Sequence, residues 1–136
     1  MARLSSPVII SIVDDDESMR IAMKDMVESL GYAVVTFASG LELLRSDSLH
    51  STSCLISDVR MPGMDGLELQ SRLIASGHSI PIIFLTAFPE TKLHDRALRA
   101  GAIAFLSKPC RREELLIHIR TAIASRNTDD SDPKGK

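Results

Sequence analysis

The chain has 136 residues, 44% of them hydrophobic and 25% charged, with a formal net charge of −2. That length fits one domain with a substantial core, and the near-neutral balance gives no reason to expect a nucleic-acid or membrane surface. No stretch approaches the ~20 apolar residues of a membrane span, and the first seven residues lack the apolar core of a signal peptide, so a cytoplasmic protein is expected.

Residues 8–13 (VIISIV) are a nearly continuous β-branched run, suited to a strand buried on both faces, and they end at Asp14-Asp15-Asp16-Glu17. Met19, Ala22, Met23, Met26, Val27 and Leu30 recur at intervals of three and four, which predicts an amphipathic helix stopped by Gly31. Residues 33–37 read as a second strand. Ser39 and Glu42 form a capping-box pattern that opens a short helix around Leu41, Leu43 and Leu44. The polar stretch 46–53 is expected to be a loop. A third strand over 54–57 delivers Asp58 to a loop containing Met61-Pro62-Gly63-Met64-Asp65-Gly66.

Asp65 can cap a helix that runs through Leu69 and Leu73 to about Ser76, with Gly77 as its stop. Pro81 opens a fourth strand that ends at Thr86. A fourth helix over 90–100 carries only a thin apolar stripe (Leu93, Ala97, Ala100, with Leu98 beside it) and should be the least firmly docked. Residues 102–106 predict the fifth strand, followed by Ser107-Lys108-Pro109. Leu115, Leu116, Ile119, Ala122 and Ile123 mark a last helix ending near Asn127. Residues 128–136 have no apolar side chain to repay the entropy of ordering, and read as a tail or the start of a linker.

Cys54 lies in an apolar run and reads as a small buried hydrophobe, whereas Cys110, after Lys108-Pro109, is expected to be partly exposed. His50, His78, His94 and His118 are scattered singly, without metal-ligand spacing, and read as surface or packing residues.

Five strands alternating with five helices predict an α/β domain with a parallel sheet covered on both faces. Right-handed crossovers leave only a few doubly wound orders. Ligands of such sheets bind beyond the carboxyl ends of the strands. There this chain places Asp14 and Asp15 after the first strand, Asp58 after the third, Thr86 after the fourth and Lys108 after the fifth. Carboxylates crowded at one edge repel one another unless a cation neutralises them, and an all-oxygen acidic site with room for water suits Mg²⁺. Within it Asp58 can act as a nucleophile toward phosphorus, with Lys108 balancing charge and Thr86 donating to a phosphoryl oxygen.

These pieces closely resemble the receiver domain of two-component response regulators: Val13-Asp14-Asp15, Asp58 with Met61-Pro62-Gly63-Met64-Asp65-Gly66, Thr86-Ala87, and Ala100-Gly101-Ala102 followed by Phe105 and Lys108-Pro109. The resemblance spans about residues 7–125. In Ile12-Val13-Asp14-Asp15-Asp16-Glu17 and Asp58-Val59-Arg60-Met61-Pro62 it is most similar to receivers of nitrogen-fixation-type transcription regulators. It implies a flavodoxin-like fold with strand order 2-1-3-4-5. Asp58 becomes the phosphoacceptor for a sensor histidine kinase. Mg²⁺ would be held by Asp15, Asp58 and the Arg60 backbone carbonyl, with Asp14 acting through water. Lys108 would bind the phosphoryl group, Thr86 and Phe105 would be a switch pair, and the Lys108-Pro109 bond would be cis. Cys110 departs from the aromatic residue that commonly follows Lys-Pro. Ala87 and Phe88 lie at the phosphate entrance, and Phe88 is expected to cover it, with Arg60 on the other side of the mouth.

An aspartyl-nucleophile phosphatase would want a second carboxylate two residues after the nucleophile, where this chain has Arg60. No G-x-G-x-x-G or Walker pattern occurs. The expectation is therefore a signalling domain rather than an enzyme: a receiver over 7–126 and a polar tail or linker over 127–136. Its output would be a partner, a homodimer formed on phosphorylation, or a DNA-binding domain not present in the chain. The alternative is a stand-alone phosphorelay or protein-interaction receiver.

Overall fold

The computed structural model describes residues 8–131, of which 127–131 by their backbone alone. The elements in order are β1 (Ile9–Val13), α1 (Glu17–Ser29), β2 (Ala33–Phe37), α2 (Gly40–Leu44), a 3₁₀ turn (Asp47–Ser51), β3 (Cys54–Ser57), α3 (Gly66–Ala75), β4 (Ile82–Thr86), α4 (Thr91–Arg99), β5 (Ala104–Ser107) and α5 (Arg112–Ser131). All strand pairings are parallel, in the order β2-β1-β3-β4-β5. This is the doubly wound order that the resemblance implies.

Side chains alternate across the sheet and build two cores. Ile10, Ile12, Cys54, Ile56, Ile83 and Leu85 face one way and pack with Val27 of α1 and with Leu115, Ile119 and Ala122 of α5. Val13, Leu55 and Phe84 face the other way and pack with Leu43, Leu67, Leu69, Leu73 and Ala97 from α2, α3 and α4. Both faces are covered, which is why the strands read as apolar runs rather than as alternating patterns.

The helix caps follow sequence chemistry closely. Asp16 accepts from the Ser18 and Met19 backbone N–H groups at 2.9 and 3.2 Å and so starts α1. Asp65 does the same for α3 through Glu68 N–H at 2.8 Å. The capping box of α2 is half met. Ser39 Oγ accepts from Glu42 N–H at 3.1 Å, but the Glu42 carboxylate reaches back to Ala38 N–H at 3.0 Å instead of to the cap residue itself.

Besides one-residue shifts at element ends, three segments differ from expectation. The expected loop 46–53 holds the 3₁₀ turn, anchored by the one buried apolar side chain there, Leu49, too isolated to show a period. β5 begins two residues late because Ala102 is taken up in closing α4, with its N–H bonded to Ala97 O at 2.9 Å. α5 continues to Ser131 instead of stopping near Asn127, since no Gly or Pro interrupts the chain from Arg112 until Pro133. The expected tail overlaps that last turn, and residues 1–7 and 132–136 lie outside the described residues.

Cys110 is a further correction. It is buried rather than partly exposed, and burial together with the Glu114 carboxylate pushes its thiol up to about 11. Cys54 is fully buried as expected, with its thiol pushed up to about 12 by burial. Three of the histidines pack as rings: those of His50 and His78 lie 5.4 Å apart, and that of His94 meets Phe105 edge-on at 5.5 Å. No helix among the described residues is long and apolar enough to cross a membrane.

Candidate functional site

Parallel register fixes the site. Val13 pairs with Ser57, which pairs with Phe84, so the next residues on β1 and β3, Asp14 and Asp58, leave the sheet side by side. Backbone bonds hold that exit, from Asp58 N–H to Val13 O at 3.0 Å and from Asp14 N–H to Phe37 O at 3.2 Å. Oxygens of Asp14, Asp15 and Asp58 all lie within 4.8 Å of one another. Asp14 is buried, Asp58 half-buried and Asp15 exposed, so the cluster has a floor, a wall and an open side.

Lys108 arrives from β5. Its Nζ is 2.8 Å from Asp14 Oδ2 and 3.3 Å from Asp58 Oδ2, and its backbone N–H bonds Thr86 O at 2.8 Å. The Lys108-Pro109 peptide is cis, as expected. The remaining carboxylate oxygens are also held: Asp58 Oδ1 accepts from Val59 N–H at 2.7 Å, and Asp14 Oδ1 from Asp16 N–H at 3.0 Å. Asp58 is therefore oriented before any ligand arrives.

Burial, reinforced by the Asp14 carboxylate, raises the Asp58 carboxyl above its ordinary value, while Lys108 and the Val59 N–H offset part of the rise. Burial opposes the Lys108 charge, yet the hydrogen bond and charge of Asp14, followed by Asp58, outweigh it and hold the ammonium above its usual range. One cation facing three carboxylates leaves excess negative charge at a partly buried place. That imbalance, with donors that are all hard oxygens and one side open to water, fits Mg²⁺.

Thr86 ends β4 with a buried side chain, and its Oγ1 accepts the Phe88 backbone N–H at 3.2 Å. Phe105 lies across from Phe84 in the β4–β5 register, two residues behind Thr86 on the same side of the sheet, and its half-buried ring is 6.1 Å from that of Phe84. Ala87 is exposed, and the Phe88 side chain is 70% exposed, so the Phe88 ring stands in solvent beside the mouth. Arg60 follows β3 and reaches across to the start of α4. Its guanidinium pairs with Glu90, two residues beyond Phe88, and ties the β3–α3 loop to the start of α4. Attraction to that carboxylate, invisible at the distance in sequence, turns Arg60 toward the β4–α4 loop.

Three residues that position the site escaped the sequence reading. Arg20 Nη1 donates to Asp14 O at 2.8 Å from the first turns of α1, and nothing in a lone helical Arg signals this. Gly66 opens α3 so close to the loop after β3 that a Cβ would lie 2.3 Å from Asp58 O and 3.1 Å from Val59 Cα. The Pro-Gly-rich loop marked the turn but not that approach. Gln70, on the buried side of α3, donates from Nε2 to Ala97 O of α4 at 3.1 Å.

The model of the response regulator receiver domain matches residues 10–120. The chain belongs to that family. As a receiver it is a signalling module of two-component systems rather than an enzyme, and its acidic pocket of Asp14, Asp15 and Asp58 lies at the family's site. Nodulation protein W of Bradyrhizobium diazoefficiens is 44% identical over 82% of this receiver and 49% of its own length. The transcriptional regulatory protein FixJ of the same organism is 36% identical over 84% of the receiver and 56% of its own length. The receiver thus spans about half the length of these curated relatives. In three dimensions it superposes on full-length FixJ from B. japonicum with a TM-score of 0.80 at 34% identity, covering 93% of this chain and 62% of that one. The similarity to nitrogen-fixation-type regulators is present among these relatives, alongside the higher identity to the nodulation regulator.

Proposed function

We propose that this receiver accepts a phosphoryl group on Asp58 from the phosphohistidine of a sensor histidine kinase and uses it to rearrange the face formed by α4, β5 and α5. The observation that carries the proposal is the position of Lys108 Nζ, within hydrogen-bonding distance of both Asp14 and Asp58 at the edge where Asp15 stays open. In the reaction a carboxylate oxygen of Asp58 attacks phosphorus, the phosphorus–nitrogen bond of the donor breaks, and its imidazole leaves. Lys108, already shared between two carboxylates, is the cation placed to receive a phosphoryl oxygen. Val59 N–H keeps the attacking carboxylate from turning away.

Asp15, Asp58 and the Arg60 backbone carbonyl would hold Mg²⁺ directly, and Asp14 through water. When bound, the ion supplies the charge that screens the carboxylates and steadies the incoming phosphoryl oxygens. Thr86, whose hydroxyl accepts the Phe88 N–H, would turn to the phosphoryl group, and Phe105 would move into the space left behind. Ala87 and Phe88 would control access for water. Two free cysteines accord with a reducing cytoplasm. Because the relatives are about twice as long, the output would be a DNA-binding segment beyond this receiver, or a partner or second copy recruited by the altered face.

The proposal is tested with Asp15→Asn. Calorimetry should show Mg²⁺ binding in the wild type and none in the variant, and phosphorylation by acetyl phosphate should fall to background. Phosphorylation of Asp15→Asn at the wild-type rate would contradict the assignment.

A further inference from the structure

The two ends of α4 are held very differently. At the amino end Glu90 makes no side-chain capping bond, and its carboxylate pairs instead with the exposed guanidinium of Arg60. Exposed pairs of this kind hold weakly. Leu93 and His94 are only half-buried there. At the carboxyl end Ala97 is fully buried, Gly101 adopts φ 106°, and two bonds close the helix: Gly101 N–H to Leu98 O at 3.0 Å and Ala102 N–H to Ala97 O at 2.9 Å.

Ala97 O also accepts a second bond, the one from Gln70 Nε2 on α3. Gln70 is only 3% exposed, so its amide has no water to fall back on, and breaking this bond would strand a buried donor. The bond therefore joins α3 to the carbonyl through which α4 hands the chain on to β5.

We infer that Gln70 is a positioning residue that pins the carboxyl end of α4 to α3, so that α4 rearranges by swinging about this end while its amino end moves. This rests on the proposed switching of the α4–β5–α5 face and adds where that motion is allowed and where it is blocked. Loose attachment at the amino end, next to Thr86 and Phe88, lets the phosphoryl site reach α4. The pin keeps the α4–β5 junction, and with it the register of β5, in place during that motion.

The test is residue-resolved amide exchange on the whole chain, with and without beryllofluoride and Mg²⁺, for wild type and for Gln70→Met, which keeps the length and apolar volume of the side chain. In the wild type, beryllofluoride should change exchange at residues 91–95 and leave Gly101 and Ala102 unchanged. In Gln70→Met without beryllofluoride, Gly101 and Ala102 should exchange about tenfold faster while the α3 and β4 amides keep their rates, the local opening expected when a buried hydrogen bond is lost. A merely destabilised variant would accelerate all of these amides together, and that outcome overturns the pin. Unchanged protection of Ala102 in the variant overturns it as well. If Gln70→Met does not fold, wild-type exchange that changes equally at both ends of α4 overturns the swing, and change confined to residues 91–95 supports it. Failure of the switch itself reads differently: beryllofluoride would change no α4 amide in the wild type, while the effect of Gln70→Met on Ala102 without it would remain.

Discussion

Asp14, Asp15 and Asp58 carry the same carboxyl group into three surroundings, and burial assigns them different work. Asp14 is committed to Lys108 and to its own turn, Asp58 is held in place yet half open, and Asp15 has solvent to exchange for a ligand. Gly66 makes this possible by letting α3 begin against the backbone of Asp58. Gly66→Ala would push a methyl group into Asp58 O and Val59 Cα, atoms that cannot turn aside as a side-chain tip can. We expect that variant to lose about 1–3 kcal/mol of unfolding free energy, in the range of overpacked sites, and to accept phosphate more slowly. A denaturation curve and an acetyl phosphate time course check both, and wild-type behaviour in each would show that the loop yields freely. Phe88 is a separate matter. Its large exposed ring stands beside the entrance, so replacing it with Ser should admit water and shorten the half-life of the phosphoryl group on Asp58. An unchanged or longer half-life would show that the ring plays no part in shielding the bond.

At the scale of elements, α4, which buries one residue, lies beside the proposed switch residues Thr86 and Phe105. Among the residues of α4 only Ala97 is buried, and the ring of His94 rests on Phe105. A shift of Phe105 toward Thr86 would thus remove one of the few contacts holding the amino half of α4. Thr86→Ala keeps the three carboxylates and Lys108, so it should bind Mg²⁺ and accept phosphate. Without the hydroxyl it should lose most of the phosphorylation-linked change in self-association or partner binding. Sedimentation or partner titration with and without beryllofluoride decides this, and a full wild-type response from Thr86→Ala would rule out the Thr86–Phe105 coupling.

Elements of this kind were legible in sequence where a local signal sets them. The apolar runs of β1 and β4, the cap Asp65 and the stops Gly31 and Gly77 all act within a few residues of their effect. Asp14, Asp58 and Lys108 could be placed together because each follows a strand of one parallel sheet. What sequence did not disclose depends on partners far along the chain. Cys110 is buried by packing with β-strand and α5 side chains, Arg60 is turned by Glu90, and Gln70 finds Ala97 across α3 and α4. The end of α5 was misjudged for another reason: residues 128–131 are all polar in sequence, so helix continuation there had no hydrophobic signature.

Over the whole molecule, the sheet brings residues from β1, β3, β4 and β5 to one edge and leaves the α4–β5–α5 face at its side. In the proposed function, chemistry at the edge and response at the face are thereby separated, with Thr86 and Phe105 between them. The central claim is that Asp58 is the residue that takes the phosphoryl group. It is tested most directly by incubating wild type and Asp58→Asn with a phosphorylated sensor kinase or acetyl phosphate in Mg²⁺, then mapping the added mass by peptide. The account predicts one phosphoryl group on the peptide containing Asp58 in the wild type, no modification of Asp58→Asn, and loss of the wild-type signal when Mg²⁺ is chelated. A phosphoryl group on another residue of the wild type, or undiminished labelling of Asp58→Asn, would contradict it.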